Sequence, residues 1–233
     1  MTAFKICGIT RPAHAIAAAD AGADFIGLLF APSSRQLSGD QARDLVREAR
    51  SQRPSIGQRP RVVGIFVNSP AEEINEMAEY CGLDWVQIHG DESLDDCSAI
   101  QRPVLKVIRI PADVPAEELL SRLDRDLEAI VERGYTPMLD SVSTGRYYGG
   151  SGRPFDWKVA AELAKKYRFV LSGGLSPENV APAIGQIRPW GVDVSSGVET
   201  EGVKDIGKIQ AFARAVSEAD ARFRSKGDLT RSW

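Results

Sequence analysis

Short apolar runs alternate along the whole chain with longer stretches in which apolar residues return every three or four positions. The runs at 4–7, 25–30, 62–67, 85–88, 104–108, 137–140, 169–171 and 192–194 predict eight strands. Between them the pattern predicts helices over 12–21, from a capping box of Ser38 and Gln41 to about 50, and from a second box of Ser69 and Glu72 to about 81. Further helices are predicted over 93–100, 116–132 and 156–166, from 176 onward, and over 206–223, with Asp156 capping the sixth. Several runs are almost wholly apolar, as parallel strands covered on both faces are. The expected fold is therefore α/β, a single (β/α)8 barrel over residues 1–224 followed by a polar tail at 225–233, with a doubly wound open sheet as the alternative. A Gly-x-Asp-apolar entry recurs at Gly22, Gly82 and Gly191, which supports a repeated unit.

Composition narrows the function classes. A chain of 233 residues with 43% apolar content can bury a full barrel core, and its formal net charge of -3 offers no basic patch for nucleic acid. No stretch approaches the ~20 consecutive apolar residues of a membrane helix, and no signal peptide precedes the first strand, so a soluble cytoplasmic protein is expected. Cys7, Cys81 and Cys97 are odd in number and form no C-x-x-C, which argues against a disulfide framework and a zinc site and for free thiols in a reducing compartment. No metal site is expected.

Alternation along the first strand places Phe4 and Ile6 on one face, toward covering helices, and Lys5 and Cys7 on the other. A lysine beside a thiol lowers its pKa and enriches the thiolate; the alternative is an inert buried cysteine. In such barrels the active site lies at the carboxyl ends of the strands, where Cys7, Arg35, His89, Asp140, residues 172–174 and residues 195–197 all fall. The glycine turns after the seventh and eighth strands suit a phosphate, because backbone N–H groups can approach an anion there. Residues 144–152 are long for a strand-to-helix connection and read as a possible lid. His14 reads as a solvated helical residue, His89 as a hydrogen-bonded architectural residue or a support for a catalytic neighbour, and Cys81 and Cys97 as ordinary thiols. Glu117, Glu118, Arg122 and Arg125 read as a solvated helix face. Asp193 would either touch substrate or neutralise Lys5 or Lys106 inside the barrel.

The segments Lys5 to Thr10, Gln87 to Glu92, Gly149 to Gly152 with Phe155-Asp156-Trp157, Ser172 to Leu175, and Val192 to Glu199 resemble those of the phosphoribosylanthranilate isomerase family, in the same order over nearly the whole chain. The resemblance implies an Amadori rearrangement in tryptophan biosynthesis, turning N-(5-phosphoribosyl)anthranilate into 1-(2-carboxyphenylamino)-1-deoxyribulose 5-phosphate without a cofactor. It implies Asp140 as the general acid on the furanose oxygen and Cys7 as the general base at C2. Arg35 would hold the anthranilate carboxylate, and Gly173, Gly174, Asp193, Ser195, Ser196 and Gly197 would contact substrate. Such roles need Asp140 protonated and Cys7 ionised together; a desolvated carboxyl beside a phosphate would be pushed up and Lys5 would pull the thiol down. Ser151 stands where the family usually carries threonine and keeps the hydroxyl.

Metal-dependent epimerases of the same fold need clustered ligands, which two histidines in the whole chain do not supply. Cys7 also argues against the two-aspartate design of the related histidine-pathway isomerase. A non-catalytic phospholigand-binding barrel would keep the glycine turns but have no need of the Cys7 and Asp140 pair. The expected partner is a small phosphorylated molecule, with no nucleic acid and no membrane, and the expected assembly is a monomer, a dimer being the alternative.

Overall fold

The computed structural model describes residues 1–51, 58–110, 114–141 and 157–225. Eight parallel strands close into a barrel in sequence order, with β8 returning to β1. They are β1 Ala3–Cys7, β2 Phe25–Leu29, β3 Arg61–Phe66, β4 Trp85–Ile88, β5 Val104–Ile110, β6 Thr136–Ser141, β7 Val170–Ser172 and β8 Gly191–Val194. Outside them lie α1 Pro12–Asp20, α2 Gly39–Ser51, α3 Ala71–Cys81, α4 Ala116–Glu132, α5 Trp157–Leu163, α6 Val180–Ile187 and α7 Ile206–Ser225.

Strand alternation does what the apolar pattern requires. Phe4 and Ile6 face the helices, with the Phe4 ring 6.3 Å from that of Phe212 on α7, while Lys5 enters the barrel. Leu105, Val107, Met138 and Val170 form a separate small cluster, whereas Val104 and Ile108 join the helix-facing core. By that alternation Lys106 points to the helix layer and not into the barrel, so of the two lysines only Lys5 meets Asp193. Lys106 Nζ instead donates to the Gly90 carbonyl at 3.3 Å and lies 3.8 Å from Glu92 Oε2.

The Gly-x-Asp echo acquires a physical meaning at two of its three positions. Asp24 Oδ2 accepts the Phe4 N–H at 2.9 Å and Asp84 Oδ2 accepts the Val62 N–H at 2.8 Å, so each aspartate ties its own strand's entry to the preceding strand. Asp193 departs from this, because it lies within β8 and turns inward to Lys5.

Four local expectations are corrected. The segment predicted as a helix over 93–100 forms only a 3-10 turn at Asp96–Ala99, because Ser93 and Asp96 satisfy each other's backbone N–H groups and close the chain early. The capping box at Ser38 and Gln41 forms in both directions, but α3 begins after Pro70 with no side-chain cap, so Ser69 does not act as expected. His14, expected in solvent, is buried at 6% exposure on α1, and burial pushes its imidazole below the ordinary value. The last helix runs to Ser225, two residues past its expected end at 223. The rest of the tail, the segment 144–152 with Ser151, and the cap at Asp156 lie outside the described residues.

One element had no sequence signal. After a 3-10 turn at Ser196–Val198, the two-residue strands β9 Glu199–Thr200 and β10 Val203–Lys204 pair antiparallel before α7 begins.

Candidate active site

Cys7 is the last residue of β1 and Asp140 the last but one of β6, and both line one cleft of about 280 Å³ with Arg35, Gln87, His89, Ser172, Gly173, Gly174, Asp193, Ser195 and Ser196. The expected site residues are thus brought together, with Gly197 in the adjoining 3-10 turn.

Below the thiol, Lys5 and Asp193 are directly opposite in the β1 and β8 register, and Lys5 Nζ sits 2.8 Å from Asp193 Oδ1. Ser172 Oγ donates to the other carboxylate oxygen at 3.2 Å. Burial works against the ammonium, but Asp193, and Cys7 after it, outweigh this and hold Lys5 above its ordinary pKa. Asp193 therefore neutralises Lys5. The thiol responds differently from expectation: burial is the largest influence and pushes Cys7 up, Lys5 and Lys204 pull it down, and Asp193 pushes it up again, leaving it above the ordinary thiol value. Lys5 acts in the predicted direction, but Asp193, a carboxylate far away in sequence, opposes it.

Across the cleft, His89 Nε2 lies 3.2 Å from Asp140 Oδ2, and His89 Nδ1 lies 3.0 Å from Gln87 Nε2. If the Gln87 amide donates, Nδ1 accepts and the imidazole proton sits on Nε2, facing the carboxyl. His89 is thus a neighbour of the candidate acid as well as an architectural residue.

The glycine turns are shaped by close packing. Gly173 has φ 93, and a Cβ there would lie 2.0 Å from Ser141 Oγ and 2.6 Å from the Ser141 backbone nitrogen. The turn is clasped by Asn179, whose Nδ2 donates to the Gly174 carbonyl at 2.8 Å while its Oδ1 accepts from the Ser176 N–H at 2.8 Å. On the neighbouring turn, Ser195 Oγ donates to the Cys7 carbonyl at 3.3 Å, so this turn packs directly on the end of β1.

Arg35 is placed by a loop that folds back on β2, with the Leu37 N–H donating to the Leu29 carbonyl at 2.9 Å and Gln36 Nε2 to the Phe30 carbonyl at 3.0 Å. Gly8 makes room for the arginine stem: its φ is 75, and a Cβ there would stand 2.7 Å from Arg35 Cδ. The guanidinium is already engaged, since Nε and Nη2 donate to the two oxygens of Glu199 at 2.7 and 2.5 Å. Glu199 closed the last motif noted in the sequence without a role, and its cationic neighbour Lys204 carried no signal at all.

Among the described residues no group of three or more His, Cys, Asp or Glu side chains is arranged to hold a metal ion, and no helix is long and apolar enough to cross a membrane. The three cysteines are free and buried.

The sequence pattern of the N-(5'-phosphoribosyl)anthranilate (PRA) isomerase family matches residues 4–215. An N-(5'-phosphoribosyl)anthranilate isomerase of Dehalococcoides mccartyi is 40% identical over 221 residues, covering 94% of this chain and 98% of the relative. Among solved structures, monomers generated from the dimeric phosphoribosylanthranilate isomerase of Thermotoga maritima superpose with a TM-score of 0.75 at 34% identity, covering 94% of this chain and all of that one. A phosphoribosylanthranilate isomerase in complex with reduced 1-(o-carboxyphenylamino)-1-deoxyribulose 5-phosphate superposes with a TM-score of 0.74 at 34% identity and the same coverage.

Proposed function

The chain belongs to the N-(5'-phosphoribosyl)anthranilate isomerase family, enzymes of tryptophan biosynthesis, and from that premise we propose how its own residues carry the rearrangement. The observation that carries the assignment is the opening of Cys7 and Asp140 onto one cleft walled by the two glycine turns.

The phosphate of N-(5-phosphoribosyl)anthranilate docks at the turns of Gly173, Gly174, Ser195, Ser196 and Gly197, and Arg35 receives the anthranilate carboxylate. Asp140 gives its proton to the furanose oxygen as the C1–O bond breaks, and the nitrogen lone pair closes a protonated imine. The Cys7 thiolate then takes the proton from C2, and the electrons of that C–H bond neutralise the imine to give an enol-amine. Tautomerisation moves the enol proton to C1 and leaves the ketose. One acid and one base suffice, each typically contributing 10²- to 10⁴-fold. Asp193 lines the cleft and holds Lys5.

We propose a monomer as the unit that turns over, with a dimer as the alternative, since the Thermotoga maritima relative is dimeric. Free buried thiols suit a reducing compartment, and we place the chain in the cytoplasm. We further propose that residues 1–224 constitute the catalytic barrel, so that a chain ending there keeps its turnover.

The test follows the loss of substrate fluorescence as phosphoribosylanthranilate, generated in place from anthranilate and phosphoribosyl pyrophosphate, is isomerised. Turnover by the parent, with near-silence from Cys7→Ala and Asp140→Asn that still bind a reduced product analogue, is the expected result. Turnover in either variant within about tenfold of the parent would overturn that residue's role.

A further inference from the structure

Glu199 and Lys204 face each other across the β9–β10 hairpin, and the Lys204 ammonium contacts Glu199 Oε1. Both side chains are buried, at 6% and 2% exposure, whereas Arg35 retains 25%. Lys204 Nζ also donates to the Ser195 carbonyl at 2.9 Å, and Lys208 Nζ donates to the Glu199 carbonyl at 2.6 Å. Burial pushes the Glu199 carboxyl up, but hydrogen bonds from Arg35 and Lys204 outweigh it and leave the group below its ordinary range; burial pulls the Lys204 ammonium down against the pull of Glu199. Two cations thus share one fixed carboxylate, and a positive charge is left over at the cleft wall.

A guanidinium offers two edges to carboxylates, one through Nε and a terminal nitrogen, the other through both terminal nitrogens. Glu199 takes the first. Among the described residues Nη1 makes no hydrogen bond, so the second edge is available in the cleft that Arg35 lines. We propose that Glu199, anchored by Lys204, is a positioning residue that aims the open edge of Arg35 at the aromatic carboxylate of the substrate. Selectivity for a carboxylated arylamine then resides partly in a hairpin that itself touches no substrate. The inference rests on the reading of Arg35 as the carboxylate receptor.

The experiment compares kcat and KM for phosphoribosylanthranilate and for N-(5-phosphoribosyl)aniline, which lacks the carboxylate, together with inhibition by inorganic phosphate. In Glu199→Gln the preference for the carboxylated substrate should fall by about tenfold, through KM and with kcat changed less than about twofold, the loss expected when one charge-assisted contact is misaligned. KM for the aniline and inhibition by inorganic phosphate should stay at parental values. Glu199→Asp, which keeps the charge but withdraws it by one methylene, should show the same fall and serves if the glutamine variant does not fold. An unchanged preference, an equal loss on both substrates, or a lower KM for the carboxylated one would overturn the proposal; the last would make Glu199 a competitor for Arg35. Arg35→Met separates the two layers: if it leaves the preference intact, the carboxylate reading itself fails. If it abolishes the preference while both Glu199 variants keep it, only the positioning role fails.

Discussion

Lys5 and Asp193 lie directly opposite on adjacent strands, 188 residues apart in sequence, and their 2.8 Å contact decides how much of the lysine's charge reaches Cys7. The pair is buried, so its two members cannot be changed independently of stability. It also explains why a cysteine two residues from a lysine is not simply an activated one.

Alkylation of Cys7 by iodoacetamide reports the thiolate directly. Because the folded thiol titrates above the ordinary value, the rate should still be climbing with pH where a free cysteine has levelled off. Lys5→Met removes the larger of the two cationic influences and should slow alkylation at neutral pH by about tenfold. Asp193→Asn removes a negative neighbour and should speed it. A profile unmoved by both substitutions would show that burial alone sets the thiol. Asp193→Asn should also cost about 3–5 kcal/mol in denaturant unfolding, since Lys5 is left buried without its carboxylate.

Two of the left-handed glycines, Gly173 and Gly8, should respond differently to alanine. At Gly173 the new methyl meets a backbone nitrogen, which cannot move away, so the turn must deform and inhibition by inorganic phosphate should weaken by about tenfold or more. At Gly8 it meets the Cδ of a long side chain, which can. Steady-state kinetics of Gly8→Ala should show a raised KM for the carboxylated substrate with phosphate inhibition retained. Equal effects at the two positions would contradict the division of the cleft into a phosphate end and a carboxylate end.

His89 faces Asp140, and its influence should appear in the chemical step. His89→Ala is expected to lower kcat by about ten- to a hundredfold with KM changed little, as for other residues that orient a reacting group. Single-turnover measurements at saturating substrate would check it. A change confined to KM would return His89 to a purely architectural role.

Phe212 is fully buried on α7 against Phe4 of β1. Phe212→Ala should cost about 3–5 kcal/mol in urea unfolding while leaving KM near its parental value, because the cavity opens on the helix side of the strand.

What the chain discloses on reading depends on the range of the interaction. The strands were legible because each apolar run carries its own signal, and the rim position of Cys7 and Asp140 followed once the strands were placed. The turn at Asp96–Ala99 was not, because a Ser93 and Asp96 pair opens a helix and a tight turn alike. A two-residue strand such as β10 is too short to show alternation, so Lys204 looked like any charged loop residue. The direction of the Cys7 shift is not legible for a related reason: Lys5 is visible two residues away, whereas burial and Asp193 exist only in the closed barrel.

That closure sets when the enzyme becomes an enzyme. The contacts of Lys5 with Asp193, Ser195 with the Cys7 carbonyl and Arg35 with Glu199 all bridge the seam around β1, as does the clasp of Thr2 on Asp220 at the other end of the strand. Each joins chain segments more than 160 residues apart, and loop closure of that length is entropically late. Until β8 docks on β1 neither the base nor the arginine has its native surroundings, whereas the turn at Gly173 packs on Ser141 of the neighbouring β6. Recovery of turnover is therefore a clock for the final strand docking, slower than the return of helical signal.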